Sequence, residues 1–184
     1  MAQTLESTTG KLMIKRIAIT GPESTGKSWL AAGLAEEFSE PWVPEFARFY
    51  LEKLNRAYNF EDILEIAKGQ FKAEEAAAAL AKERLFCDTD FLVTRIWCLV
   101  RFGKSHAWID QMADTHVYAH YLLCDTDLPW EADPLREHPH LRKELFEMYL
   151  AELQQRRLSF SIISGNGDQR LLNAVKVLKS LTGK

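Results

Sequence analysis

The run Gly21-Pro22-Glu23-Ser24-Thr25-Gly26-Lys27-Ser28 has the spacing GxxxxGK[ST], and that spacing limits what this chain can fold into. The pattern carries chemistry only between a buried strand and a helix, and the flanking residues predict both. KRIAIT before it reads as a short apolar strand. After it, Leu30, Leu34 and Phe38 recur every four residues, as on one face of a helix. Gly21 and Gly26 permit the backbone angles and close approach of a phosphate cradle. The backbone N–H groups of Glu23, Ser24, Thr25, Gly26, Lys27, Ser28 and Trp29 then face anionic oxygens at a helix amino end. Lys27 is expected at the β- and γ-phosphates and Ser28 on Mg²⁺. The implied ligands are a nucleoside triphosphate and Mg²⁺.

Further strands are predicted at PWVPEF (an edge or irregular one, given its prolines), RLFCD, AHYLLCD and SFSIIS. Helices are predicted near 47–55, 61–83, 91–102, 105–118, 141–156 and 168–181, with residues 1–14 as a tail. Strands alternating with helices imply an α/β fold of the phosphate-loop NTPase type. Its expected core is a parallel five-stranded sheet with helices on both faces, in one domain over 15–184. In such a sheet, function gathers at the carboxyl ends of the strands.

Composition removes other classes. The 184 residues are 47% apolar with a net charge of −3, which supports a full core and gives no basic surface for nucleic acid. No apolar run is long enough for a membrane span, and the first residues lack a secretory signal. Cys87, Cys98 and Cys124 sit in apolar surroundings without CxxC spacing, as expected of reduced, core-packed thiols in a cytoplasmic protein. No N/TKxD guanine motif and no LSGGQ signature occur, which leaves a small-molecule kinase as the natural user of the loop.

Such a kinase needs acceptor-side carboxylates and arginines around the transferring phosphate. Glu45 and Arg48 close the second strand; Glu45 would accept the acceptor's proton or hold its ribose. The tetrapeptide CDTD occurs twice, each time after an apolar strand. In the first copy, Asp88 fits the Mg²⁺-organising carboxylate, and Asp90 either touches the acceptor or caps the next helix. The second copy, Asp125 and Asp127, marks a strand end and a turn. It leads into a charged, proline-broken stretch that reads as a lid over about 128–142. Arg136 and Arg142 would close from this lid over the phosphates, unless they merely coat a solvated helix face. His138 and His140 read as solvated lid residues rather than a metal pair. Trp42, Phe46, Tyr50 and Trp130 are aromatics that would stack on a base or fill core.

Taken in order, GPESTGKS, WVPEFARFYL, CDTDFLVTRIW and YLLCDTDLPWEADPLRE resemble the ribosylnicotinamide kinase domain of the NadR family, from about Lys15 to about Leu181. The resemblance implies ATP-dependent phosphorylation of the 5′-hydroxyl of nicotinamide riboside for NAD salvage, by a phosphotransferase acting on an alcohol group. It implies a small-molecule substrate, with no nucleic acid or membrane partner. Glu45, Arg48, Asp90 and Trp130 would line the acceptor site. Two departures accompany it. No HxGH motif occurs and 14 residues precede the first strand, so adenylylation and repression are not expected. Pro134 stands where the resemblance implies a glycine. A kinase for another nucleoside and a non-catalytic ATP sensor remain the rival readings.

Overall fold

The computed structural model describes residues 13–137 and 139–181. Five strands run parallel in the order β2-β3-β1-β4-β5, where β1 is Lys15–Thr20, β2 Trp42–Val43, β3 Arg84–Asp88, β4 His120–Cys124 and β5 Phe160–Ile163. The helices are α1 Lys27–Phe38, α2 Phe46–Glu52, α3 Phe60–Ala78, α4 Phe91–Phe102, α5 Ala107–Thr115, α6 Arg142–Gln155 and α7 Asp168–Leu181.

The two sheet faces make two cores. Ile17, Ile19, Phe86, Leu122 and Ile163 pack against α1 and α7. Ala18, Leu85, Cys87, Tyr121 and Leu123 point the other way, onto α3, α4, α5 and α6. Burial on both faces explains why these strands read as unbroken apolar runs. The three cysteines are buried and unpaired. Burial raises their thiol pKa values, to about 11 for Cys98 and Cys124. Among the described residues no helix is long and apolar enough to cross a membrane.

Every predicted strand is present, and β2 is the short edge strand that its prolines imply. Two helices stop early. α3 ends at Ala78 rather than near 83, because the Glu40 carboxylate accepts the N–H groups of Lys82, Glu83 and Arg84 at 2.8–3.2 Å. α5 ends at Thr115 rather than near 118. His116 turns in to bond the buried Glu74, and the Ala119 N–H already pairs with the Arg16 carbonyl on the sheet. Between β4 and α6 the described chain forms turns and extended backbone but no regular element.

β1 is central, and this positions the site. The phosphate loop leaves its carboxyl end with the ends of β2 and β3 on one flank and those of β4 and β5 on the other.

Candidate active site

Gly21 leaves β1 at φ 128°, and a Cβ there would lie 2.9 Å from the Cys124 carbonyl oxygen, so the loop's entry against β4 demands glycine. Ser24 and Gly26 also take positive φ, 55° and 75°, before α1 begins at Lys27. The Thr25 hydroxyl and the Lys27 ammonium both donate to the Pro22 carbonyl at 2.8 Å, closing the loop on itself. Residues 21–29 form the centre of a cleft of about 730 Å³.

On the β2–β3 flank, Glu45 sits at the cap position of α2 and lines the cleft. Behind it, off the cleft wall, lies Asp88, 1% exposed at the end of β3. Burial pushes its pKa to about 6, and repulsion from Glu45 adds to the shift. Lys27, the Ser28 hydroxyl and the Glu45 N–H oppose it by favouring the charged form. Neither Asp88 oxygen completes a hydrogen bond among the described residues. A buried carboxylate without a partner beside Ser28 and Lys27 fits a hydrated divalent cation. Among the described residues no cluster of three or more His, Cys, Asp or Glu side chains could enclose a metal by itself. His138, one of the pair discounted in the sequence, lies outside the described residues.

Gln70, buried on α3, fixes this corner. Its side chain accepts the Phe46 N–H at 2.9 Å and donates to the Asp88 carbonyl at 3.4 Å, tying the start of α2 to the end of β3. Thr89 takes φ 85°, an outlier for a β-branched residue. That local strain turns the chain from Asp88 into the α4 cap.

Several expected site residues do other work. Asp90 is fully buried and caps α4, accepting from Leu92 and Val93 at 2.6 and 3.3 Å; it does not line the cleft. Of its two expected roles, the structure supports capping. Asp90→Ala is accordingly expected to lower the urea midpoint by a stability loss of about 0.5–2 kcal/mol. Asp90→Asn, which keeps an acceptor in place, should cost clearly less; equal losses would refute the capping role. Arg48 lines the cleft, but its guanidinium pairs with Asp133 at 2.9 Å, so it holds the segment above the cleft rather than standing free for an acceptor. Trp130 lies off the cleft wall under the Arg142 guanidinium. Trp42 packs into the core, the Phe46 ring covers Gly69, and the Tyr50 hydroxyl bonds Asp62 at 2.7 Å.

Residues 128–137 lie against the loop. Ser24 Oγ accepts the Glu131 N–H at 2.9 Å, and the Glu23 carboxylate accepts the Glu137 N–H at 3.0 Å. Arg136 lines the cleft and reaches Ser24 Oγ at 3.4 Å. Arg142 does not line it. Its guanidinium braces the segment by donating to the carbonyls of Ser24 and Leu128 at 3.0 and 2.9 Å, which corrects its expected place over the phosphates. Pro134 fits without strain as the second residue of a turn. Asp133 accepts from the Leu135 N–H through its side chain and from the Arg136 N–H through its carbonyl. Trp29, half exposed on α1, also lines the cleft.

Sequence reasoning missed the aromatic wall. Trp97 of α4 and Tyr149 of α6 line the cleft together with Val93, Ile96 and Leu145. Trp97 is pinned by its indole N–H, which donates to the Tyr58 hydroxyl at 3.0 Å, and Tyr58 in turn donates to Glu137 at 2.6 Å. On the β4–β5 flank, Asn166, Gly167 and Arg170 bring the turn between β5 and α7 to the cleft.

Comparison with known proteins places this geometry. A family model described as an AAA domain matches residues 16–170. The trifunctional NAD biosynthesis/regulator protein NadR of Salmonella typhimurium is 29% identical over 178 residues, covering 93% of this chain and 43% of that protein. The NadR of Escherichia coli is 28% identical over the same shares. The chain thus spans less than half the length of these curated relatives. Among solved structures, NadR protein in complex with NR superposes with a TM-score of 0.79 at 22% identity, over 94% of this chain and 52% of that one. Thymidylate kinase from Ehrlichia chaffeensis superposes at 0.64 with 16% identity, over 91% and 98%. At these identities the superpositions establish the phosphate-loop kinase fold.

Proposed function

The chain belongs to the AAA domain family, and from that premise we propose that it transfers the γ-phosphoryl group of ATP to the 5′-hydroxyl of nicotinamide riboside, giving nicotinamide mononucleotide. The carrying observation is the pairing of Lys27, Ser28 and the unpartnered, buried Asp88 at the loop with Glu45 and the Trp97–Tyr149 wall of the cleft. The relatives named for NAD biosynthesis, and the NadR structures in complex with NR and with NAD and AMP-PNP, point to this acceptor and this donor.

In this reading the loop N–H groups and Lys27 hold the triphosphate, and Ser28 and Asp88 hold Mg²⁺ and its waters. Mg²⁺, when bound, would supply positive charge to the phosphates as the phosphoryl group moves. Glu45 faces the acceptor, as base or as ribose ligand. Arg136 brings positive charge from the lid over about 128–142, while Arg48 and Arg142 keep that lid against the loop. The π faces of Trp97 and Tyr149 suit a flat, cationic pyridinium ring. Residues 15–184 act as one kinase domain. Buried, unpaired thiols suit a reducing cytoplasm.

A kinase for another nucleoside is the second reading, favoured by the likeness to deoxyadenosine kinase from M. mycoides over nearly its whole length. An ATP-consumption assay with nicotinamide riboside, other ribonucleosides and no acceptor tests both. Turnover with nicotinamide riboside well above every other acceptor is expected. Turnover only with another nucleoside would reassign the substrate, and no turnover with any would leave an ATP-binding regulator.

A further inference from the structure

Arg170 is a charged side chain in the wrong place for a surface helix. It is wholly buried, on the same stripe of α7 as Ala174 and Leu178. Nearly all of its donor capacity is spent on two chain segments. Nε donates to the Gly165 carbonyl at 2.9 Å, one terminal nitrogen to the Ile163 carbonyl at 2.6 Å, and the other to the Asp125 carbonyl at 3.2 Å and to the Asp127 carboxylate. The second CDTD copy completes the clasp. Asp125 accepts the Ser164 hydroxyl at 2.8 Å, and Asp127 accepts the Gly165 N–H at 2.6 Å. Asn173 donates to the Ser164 carbonyl at 3.0 Å, and Gly165 and Gly167 take positive φ. The 164–167 turn is therefore held in one shape from several sides.

Asn166 and Gly167 of this turn line the cleft on the β4–β5 flank, across the phosphate loop from Glu45 and Asp88. In-line phosphoryl transfer puts the attacking hydroxyl and the leaving diphosphate on opposite sides of the γ-phosphorus. With the acceptor groups on the β2–β3 flank, the nucleoside end of the donor falls on the other side. We propose that Arg170 is a positioning residue for the nucleotide base. It acts through the 164–167 turn, which it and the second CDTD copy hold at the cleft. The inference rests on reading the cleft as a nucleotide site and is independent of which acceptor is used.

The test is calorimetric binding of non-hydrolysable ATP and GTP analogues to the full chain and to Arg170→Lys and Asp127→Asn, with KM for acceptor and for ATP alongside. Arg170→Lys keeps the charge and loses the fork. Asp127→Asn removes the counter-charge but leaves a third-exposed side-chain oxygen to accept from the guanidinium, so it is the milder change and remains informative if the lysine variant does not fold. Both are expected to bind the ATP analogue about 10- to 100-fold more weakly, with the ATP-to-GTP ratio narrowed and the acceptor KM unchanged. A purely structural clasp would instead lower acceptor and nucleotide affinity together, which overturns the proposal. Nucleotide affinity of Asp127→Asn within about twofold of wild type overturns it as well. If the wild-type chain binds neither analogue, the functional reading itself falls.

Discussion

Lys27→Ala is expected to lose about 10²- to 10³-fold in turnover, the range for removing one preorganised charge-stabilising donor from a transition state. The fold should survive. Lys27 opens α1, belongs to neither core, and makes its hydrogen bond to the Pro22 carbonyl within the same loop. α1 itself is anchored by Leu30, Ala31 and Leu34, so truncating the lysine removes charge from the cleft without opening a cavity. Steady-state turnover at saturating ATP, with urea unfolding measured in parallel, separates the two effects. Wild-type turnover would end the phosphate-loop assignment. A large stability loss would mean that the ammonium–Pro22 bond holds the loop together, and the activity loss would then carry no catalytic meaning.

The sheet was legible because its physics is local. Strands buried on both faces must be apolar throughout, and the loop's glycines mark where β1 ends. Helix boundaries were legible where a cap is written in the chain, as with Asp90 before Phe91 and Gly103 after Phe102. Helix ends were not, where a distant group supplies the competing hydrogen bonds. Nothing near Ala78 announces that Glu40 will take three N–H groups there.

The site divides along the same line. Glycine, lysine and serine in the loop carry their roles in their spacing. The roles of Arg48, Trp130 and Arg142 depend on which partners the 125–141 segment brings, and that segment has no period from which to infer its path. Trp97 was hidden because a helix reading FLVTRIWCLVRF looks like core on every side. Two missed residues did leave a signal. Gln70 follows Ile63, Ile66 and Ala67 on the buried face of α3, and Arg170 precedes Ala174 and Leu178 on that of α7. A polar residue on an apolar stripe is seldom idle, since burial without partners would be costly.

Asp88→Asn against Asp125→Asn separates the two CDTD copies. The several kcal/mol that a phosphate-bound cation contributes correspond to about 10²- to 10⁴-fold in turnover, and Asp88→Asn should lose on that scale with a raised Mg²⁺ requirement. Stability should not fall with it. Burial pushes the Asp88 pKa to about 6, so at pH 7 the folded chain carries a mostly ionised carboxylate that no described residue pairs. An amide of the same shape removes that cost. Asp125 differs at each point. It is partnered by the Ser164 hydroxyl and the Thr126 N–H, and an asparagine oxygen still serves one of these. Asp125→Asn should therefore raise KM for ATP modestly and leave turnover at saturating ATP and Mg²⁺ close to wild type. Equal losses of turnover in the two variants would assign the metal wrongly. The same four letters would then do the same work at both strand ends, against the geometry that buries one carboxylate unpaired beside Ser28 and clasps the other to the turn after β5.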